Sequence, residues 1–201
     1  MNKDYTHIVV LLDRSGSMDD IRDDTIGGFN TFLKQQQEET GSATLTFVQF
    51  DSQDPYEVIH RFRAVKTVQA LTRENYTPRA QTPLLDAMGR AISDLEESLA
   101  AIEPEGRPGQ VLVAIVTDGM ENASTEYTRD SILRMVERKK KEGWTFVFLS
   151  ADLDAIGEAH HLGIDRAATM LFEKTGGGSL RAWRKISKDA SDARKHGGNK
   201  H

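Results

Sequence analysis

The chain contains no cysteine. This excludes disulfides, thiolate metal sites and cysteine nucleophiles, and it fits a reducing compartment. Nor is there an apolar run near the roughly twenty residues that a membrane-spanning helix needs. The opening residues, MNKDYTHIVV, place a single Lys ahead of a short strand-like apolar run. Such a run is too short for the core of a secretory signal. The expected location is therefore cytoplasmic, with no membrane partner. Positive charge is in deficit, with 26 Lys/Arg against 31 Asp/Glu and a formal net charge of −5. That balance gives no support for general nucleic-acid binding. The glycine run in TGGGS, residues 175–179, lacks the lysine and the spacing of a phosphate-binding loop. His160 and His161 are adjacent, so they do not share a helix face and make a poor metal pair.

At 201 residues the chain suits one domain with a sizeable core. Its charge is uneven. Residues 174–201 hold eight Lys/Arg and two Asp/Glu, a local charge of +6, and residues 1–173 carry −11. A basic tail on an acidic body is either a solvated helix face or a contact for an acidic partner.

Short β-branched runs alternate with longer helical ones. THIVVLLD, GQVLVAIVTDG and WTFVFLSAD are near-continuous apolar stretches, as strands covered on both faces should be. ATLTFVQFDS and YEVIHRFRAV read as an antiparallel hairpin turning at residues 52–55. Helical stripes follow at Ile21, Thr25, Phe29, Phe32 and Leu33, and at Leu84, Leu85, Met88, Ile92, Leu95 and Leu99. Thr82 is placed as the N-cap of the second of these helices, with Pro83 at its first position. Ser179 is placed as the N-cap of a last helix running from Leu180 to about Lys195. Residues 66–82 form a long irregular connection, a length usually associated with function. ATMLFE is a candidate edge strand. The alternation predicts an α/β fold, doubly wound and Rossmann-like, with a mostly parallel sheet, one antiparallel edge strand and helices on both faces. In such folds the site lies beyond the carboxyl ends of the strands.

Two apolar strands end in carboxylates, Asp13 and Asp118. Asp13 opens the pattern Asp13-x-Ser15-x-Ser17, and Asp118 follows VT and precedes Gly119. With Thr82, these residues make a set of hard oxygen donors free of histidine and sulfur. Two carboxylates roughly neutralise a divalent ion, and three hydroxyls add coordination without charge. Such a set suits Mg²⁺, which keeps several waters, with Mn²⁺ or Ca²⁺ as alternatives. Each residue also has an ordinary structural role. Asp13 is able to cap the following turn, Ser15 and Ser17 to serve as turn hydroxyls, Thr82 as a helix cap, and Asp118-Gly119 as a turn pair.

Asp13-x-Ser15-x-Ser17 after a strand, a Thr82-Pro83 helix start and VTDG after a later strand resemble the von Willebrand factor A domain over roughly residues 5–173. All five positions of that family's metal-ion-dependent adhesion site (MIDAS) have a counterpart here. The resemblance implies Ser15, Ser17 and Thr82 as metal ligands, with Asp13 and Asp118 acting partly through water. It implies an open coordination position that receives a Glu or Asp of a partner protein, and no enzymatic activity. Intracellular relatives often work with AAA+ ATPases or in multi-subunit assemblies, which makes those the implied partners. Residues 1–175 are expected to form the A domain. Residues 176–201 are expected to form a basic helix docked on it, with a frayed tail. Met120, Glu121 and Asn122 are expected on the partner-binding rim.

Two other functions compete. A phosphotransferase of the haloacid dehalogenase type also places a nucleophilic Asp after the first strand and binds Mg²⁺. It ordinarily needs a second carboxylate two residues later for acid–base work, where this chain has Ser15. No lysine is evident in the sequence to neutralise a transferring phosphoryl group. The other reading is a nucleic-acid-associated scaffold acting through the basic C-terminal helix. Aromatic residues are sparse there and no recognised reading motif is present.

Overall fold

The computed structural model describes residues 1–198. Six strands form one sheet: β1 (Asn2–Asp13), β2 (Ser42–Asp51), β3 (Asp54–Ala64), β4 (Pro108–Thr117), β5 (Trp144–Ser150) and β6 (Thr169–Leu171). Their spatial order is β3-β2-β1-β4-β5-β6. Every neighbouring pair is parallel except β2 with the edge strand β3. Five helices cover it: α1 (Arg22–Glu38), α2 (Leu84–Ala100), α3 (Arg129–Lys141), α4 (Leu153–His161) and α5 (Gly176–Gly198).

The continuous apolar strands are explained by burial on both faces. Along β1, Ile8, Val10 and Leu12 join one core with Phe29, Phe32 and Leu33 of α1 and Trp183 and Ile186 of α5. Val9 and Leu11 point the other way, into a second core with Leu84, Met88 and Ile92 of α2, Ile132 of α3 and Ile156 of α4. Alternation is thus present in space although every residue is apolar in sequence. Each such fully buried side chain contributes about 1.5–3 kcal/mol.

The connection after β1 runs to β2 on one side, and the connection after β4 runs to β5 on the other. The strand order therefore switches direction between β1 and β4. A crevice opens at the carboxyl ends of those two strands, where ligands bind in open α/β sheets. Asp13 ends β1 and Asp118 follows β4 directly.

Three expectations need correction. Thr82 does not cap α2. The N-cap position is Pro83, with no side-chain cap of its own. The first N–H groups of α2 instead find Glu121 Oε2 at Leu85 N, 2.9 Å, and Ser124 Oγ at Asp86 N, 3.0 Å. A cap supplied from a distant loop leaves no local signature. Likewise α5 begins at Gly176, so Ser179 is inside the helix and donates to the carbonyl of Asp24 at 3.1 Å. Finally, Ile21, expected on the first helical stripe, lies outside α1. Gly16–Ile21 is a 3₁₀ turn, and only Asp23 and Asp24 lie in the first turn of α1. The tail expected to fray includes residues 199–201, which lie outside the described residues.

α5 lies along α1. Trp183 sits against Gly28, where any Cβ would collide with its ring, and makes an edge contact with Phe29 at 5.6 Å. Near its other end, Arg194 donates to the carbonyls of Gln36, Glu39, Thr40 and Gly41. A guanidinium thus satisfies carbonyls left over where α1 ends.

Candidate metal centre

Four of the five oxygen donors meet in one hydrogen-bonded chain. Asp13 Oδ1 accepts from Ser15 N at 2.6 Å, and its Oδ2 accepts from Thr117 Oγ1 at 2.5 Å. Ser15 Oγ and Ser17 Oγ are 3.2 Å apart. Ser17 Oγ donates to Asp118 Oδ1 at 2.6 Å. Asp13 and Ser15 are buried, whereas Ser17 is exposed, so the chain runs from the interior to the surface. Thr82 is buried and joins through its backbone. Its N–H donates to Asn122 Oδ1 at 2.9 Å and its carbonyl accepts from Asn122 N at 3.1 Å. This puts Thr82 beside the loop that follows Asp118, without hydrogen-bonding its hydroxyl to the other four.

Burial drives the Asp13 carboxyl up to about 7. Hydrogen bonds from Thr117 and from the backbone and hydroxyl of Ser15 pull it down, and the negative charge of Asp118 pushes it up. A buried carboxylate in this position gains from a nearby cation, because a positive charge offsets the lost hydration.

The turn that carries Ser15 and Ser17 is held from outside. Tyr76, fully buried, donates its hydroxyl to the carbonyl of Asp13 at 2.7 Å. Arg79 N donates to Arg14 O at 2.8 Å, and Gly16 N donates to Ala80 O at 3.0 Å. The irregular segment 68–82 is therefore a clamp on the turn. Arg14, between the motif residues, points away from them. Its guanidinium meets the fully buried Asp51 at 2.7 Å and also pairs with Glu57. Arg79 reaches the same Asp51 oxygen at 2.9 Å. Burial opposes the charge on Asp51, but Arg79, the N–H groups of Gln53 and Asp54, and Arg14 together hold its carboxyl below the ordinary range.

The rim differs from expectation at one residue. Met120 is exposed, but Glu121 turns inward. It accepts from Leu85 N, Ala123 N, Ser124 N and Ser124 Oγ, and so ties the 119–124 loop to α2.

One residue at the site was not anticipated. Lys174 Nζ donates to Asp118 Oδ2 at 2.7 Å. Lys174 lies 56 positions downstream in a segment with no recognisable motif, so no sequence spacing pointed to it.

The donor set fits a hard divalent cation. All four linked groups are oxygen donors, and the ammonium of Lys174 already marks the free oxygen of Asp118 as a place for positive charge. Among the described residues no cluster of three or more His, Cys, Asp or Glu is able to hold a metal. A cation here would depend on hydroxyls, with low ligand charge, as suits an ion that retains waters.

No family model and no curated protein matches the sequence. Solved structures match in fold. The pilus adhesin SpaC from Lactobacillus rhamnosus GG, in an open conformation, aligns with a TM-score of 0.66 and 14% identity over 92% of this chain and 30% of its own. A von Willebrand factor type A structure from Catenulispora acidiphila gives 0.59 and 14% over 92% and 42%. Proximal thread matrix protein 1 from the mussel byssus, with a zinc-occupied MIDAS motif, gives 0.58 and 17% over 95% and 45%. The chain thus spans less than half the length of each of these proteins. The protein has the von Willebrand factor A fold. No helix among the described residues is long and apolar enough to cross a membrane.

Proposed function

We propose that this protein is a non-enzymatic, metal-dependent protein-binding module. In this reading residues 1–175 are the A domain and residues 176–201 its basic C-terminal segment, whose helix Gly176–Gly198 docks on it. Mg²⁺ is held by Ser15, Ser17 and Thr82, with Asp13 and Asp118 contributing directly or through water. A partner's Glu or Asp completes the coordination. The observation that carries the reading is the chain from Ser15 to Ser17 to Asp118, anchored by buried Asp13 and open to solvent at Ser17. Mg²⁺ supplies a Lewis-acidic centre for an anionic oxygen when bound. The chain's own residues orient the hydroxyls and keep Asp13 out of water.

Exposed apolar residues support a protein partner. Met120, Leu153 and Leu171 are 40%, 68% and 48% exposed. They follow or end β4, β5 and β6 at the same end of the sheet as the site. An acidic side chain flanked by apolar groups matches this arrangement. The implied assemblies, an AAA+ ATPase complex or another multi-subunit machine, rest on the resemblance alone.

The phosphotransferase reading is disfavoured by Asp13 itself. It is fully buried, and each of its oxygens already accepts a hydrogen bond from the protein, an environment that hinders in-line attack on a phosphoryl group. Lys174 pairs with Asp118, not with Asp13. The nucleic-acid reading loses much of its charge to internal pairs, because Lys174, Arg181, Lys185 and Arg194 are all engaged within the fold.

The test is capture of a binding protein from the source cell's extract in Mg²⁺ and in EDTA, followed by calorimetry with the purified partner. Binding is expected in Mg²⁺ and is expected to be lost both in EDTA and with Ser17→Ala. Equal affinity under all three conditions would eliminate the adhesion-site mechanism.

A further inference from the structure

Asp118 divides its two oxygens between different kinds of donor. Oδ1 accepts from the Ser17 hydroxyl at 2.6 Å, and Oδ2 from the Lys174 ammonium at 2.7 Å. The Asp118 side chain is fully buried, while that of Lys174 is 42% exposed. The lysine therefore reaches into the site from the surface and brings the one full positive charge that Asp118 contacts among the described residues.

The backbone that presents Lys174 is fixed on both sides. Before it, Phe172 is buried and its N–H donates to Ser150 O at 2.9 Å, which fastens the end of β6 to β5. After it, Ser179 N donates to Thr175 O at 2.9 Å and Ser179 Oγ to Asp24 O at 3.1 Å. The reversal between them needs glycine at 178, since any Cβ there would run into the carbonyl of Glu173. Lys174 thus has an anchored Cα and a flexible four-carbon stem. Its ammonium is able to leave Asp118 by side-chain rotation alone.

A divalent ion held by Ser15, Ser17 and Asp118 would bring two positive charges next to that ammonium. Like charges at such range in a partly buried site repel strongly. The two cations are alternatives at Asp118. We infer that Lys174 is a tethered counter-cation of Asp118, displaced when the divalent metal binds, and that it sets the metal affinity of the site. Once displaced, the ammonium stays at the rim, where it is placed to pair with the carboxylate of an incoming partner. This inference rests on the reading of the site as a metal centre.

The experiment is calorimetric titration of the full-length protein with Mn²⁺, supported by the paramagnetic resonance signal of free Mn²⁺. Wild type is compared with Lys174→Met, Lys174→Arg and Lys188→Met. Lys188 is an exposed residue of α5, so its substitution removes the same charge away from the site. Lys174→Met is expected to bind Mn²⁺ about tenfold more tightly than wild type, corresponding to about 1.4 kcal/mol. Lys174→Arg is expected to stay near wild type, and Lys188→Met likewise. Equal affinity of Lys174→Met and wild type overturns the inference and leaves the metal centre standing. Equal tightening in Lys174→Met and Lys188→Met overturns it in favour of a long-range charge effect. Weaker binding by Lys174→Met overturns it by making the lysine a support of the site. If no protein of the series takes up Mn²⁺, the metal-centre reading itself fails, and the inference with it.

Discussion

The hydroxyl of Thr117 lies 2.5 Å from Asp13 Oδ2, so the last residue of β4 holds the last residue of β1 across the crevice of the sheet. The adjacent residue on that strand end is Asp118. This hydrogen bond and the one from Ser17 to Asp118 couple the two halves of the site, which are more than a hundred positions apart in the sequence.

Thr117→Val keeps the shape of the side chain and removes the donor. The buried Asp13 oxygen then lacks its partner, at a cost of about 1–3 kcal/mol. Urea denaturation in EDTA should show this loss. Mn²⁺ should also raise the melting temperature less than in wild type. An unchanged midpoint and an unchanged Mn²⁺ response would mean that Thr117 does not position Asp13.

Cation binding should stabilise the fold by mass action. At a free Mg²⁺ or Mn²⁺ concentration a hundred times the dissociation constant, the gain is about 2.7 kcal/mol. For a chain of this size that corresponds to roughly 5–10 °C in melting temperature. Ser17→Ala, at an exposed position, should preserve the fold in EDTA and lose most of the shift. Differential scanning calorimetry with and without cation checks this. A full shift in the variant would remove Ser17 from the ligand set.

His7 makes stability depend on pH. Its ring lies between Thr44 Oγ1 at 2.7 Å and Thr46 Oγ1 at 3.1 Å, and it stacks on Phe62 at 4.0 Å. Burial lowers its pKa to about 3, from an ordinary 6.5. The unfolded chain therefore binds this proton more readily than the folded one. The contribution of His7 is complete above about pH 6.5 and is lost as pH falls towards 3. Within that window the loss approaches about 1.4 kcal/mol per pH unit. Urea denaturation of wild type and His7→Asn at pH 7, 6 and 5 should give a shallower pH slope for the variant. Parallel slopes would show that His7 is not held neutral.

Trp183 of α5 packs directly on Gly28 of α1. Trp183→Ala should cost about 3–5 kcal/mol through the cavity it leaves. Gly28→Ala should cost about 1–3 kcal/mol by pushing the indole out of place. The second variant should also shift the Trp fluorescence spectrum, which tests the geometry apart from the stability. Wild-type stability in both would mean that α5 is not seated on α1 in solution.

The sequence alone fixed what depends on neighbouring residues. Continuous apolar runs ending in Asp13 and Asp118, separated by helical stripes, were sufficient for a doubly wound sheet. Gly143, just after α3, has a φ of +91°, a left-handed conformation that favours glycine. The oxygen donors were also legible, because Asp13, Ser15 and Ser17 lie within five residues and Asp118 ends a strand of the same kind. What only the tertiary structure decided was each contact made across the chain. Glu121 replaces Thr82 in capping α2, Ser179 bonds to Asp24 from inside α5, Thr117 orients Asp13, and Lys174 stands on Asp118. The reason is common to all four. A side-chain hydrogen bond requires only that two groups meet at about 3 Å in space, and the folded sheet brings them there with no fixed spacing in the sequence to record it.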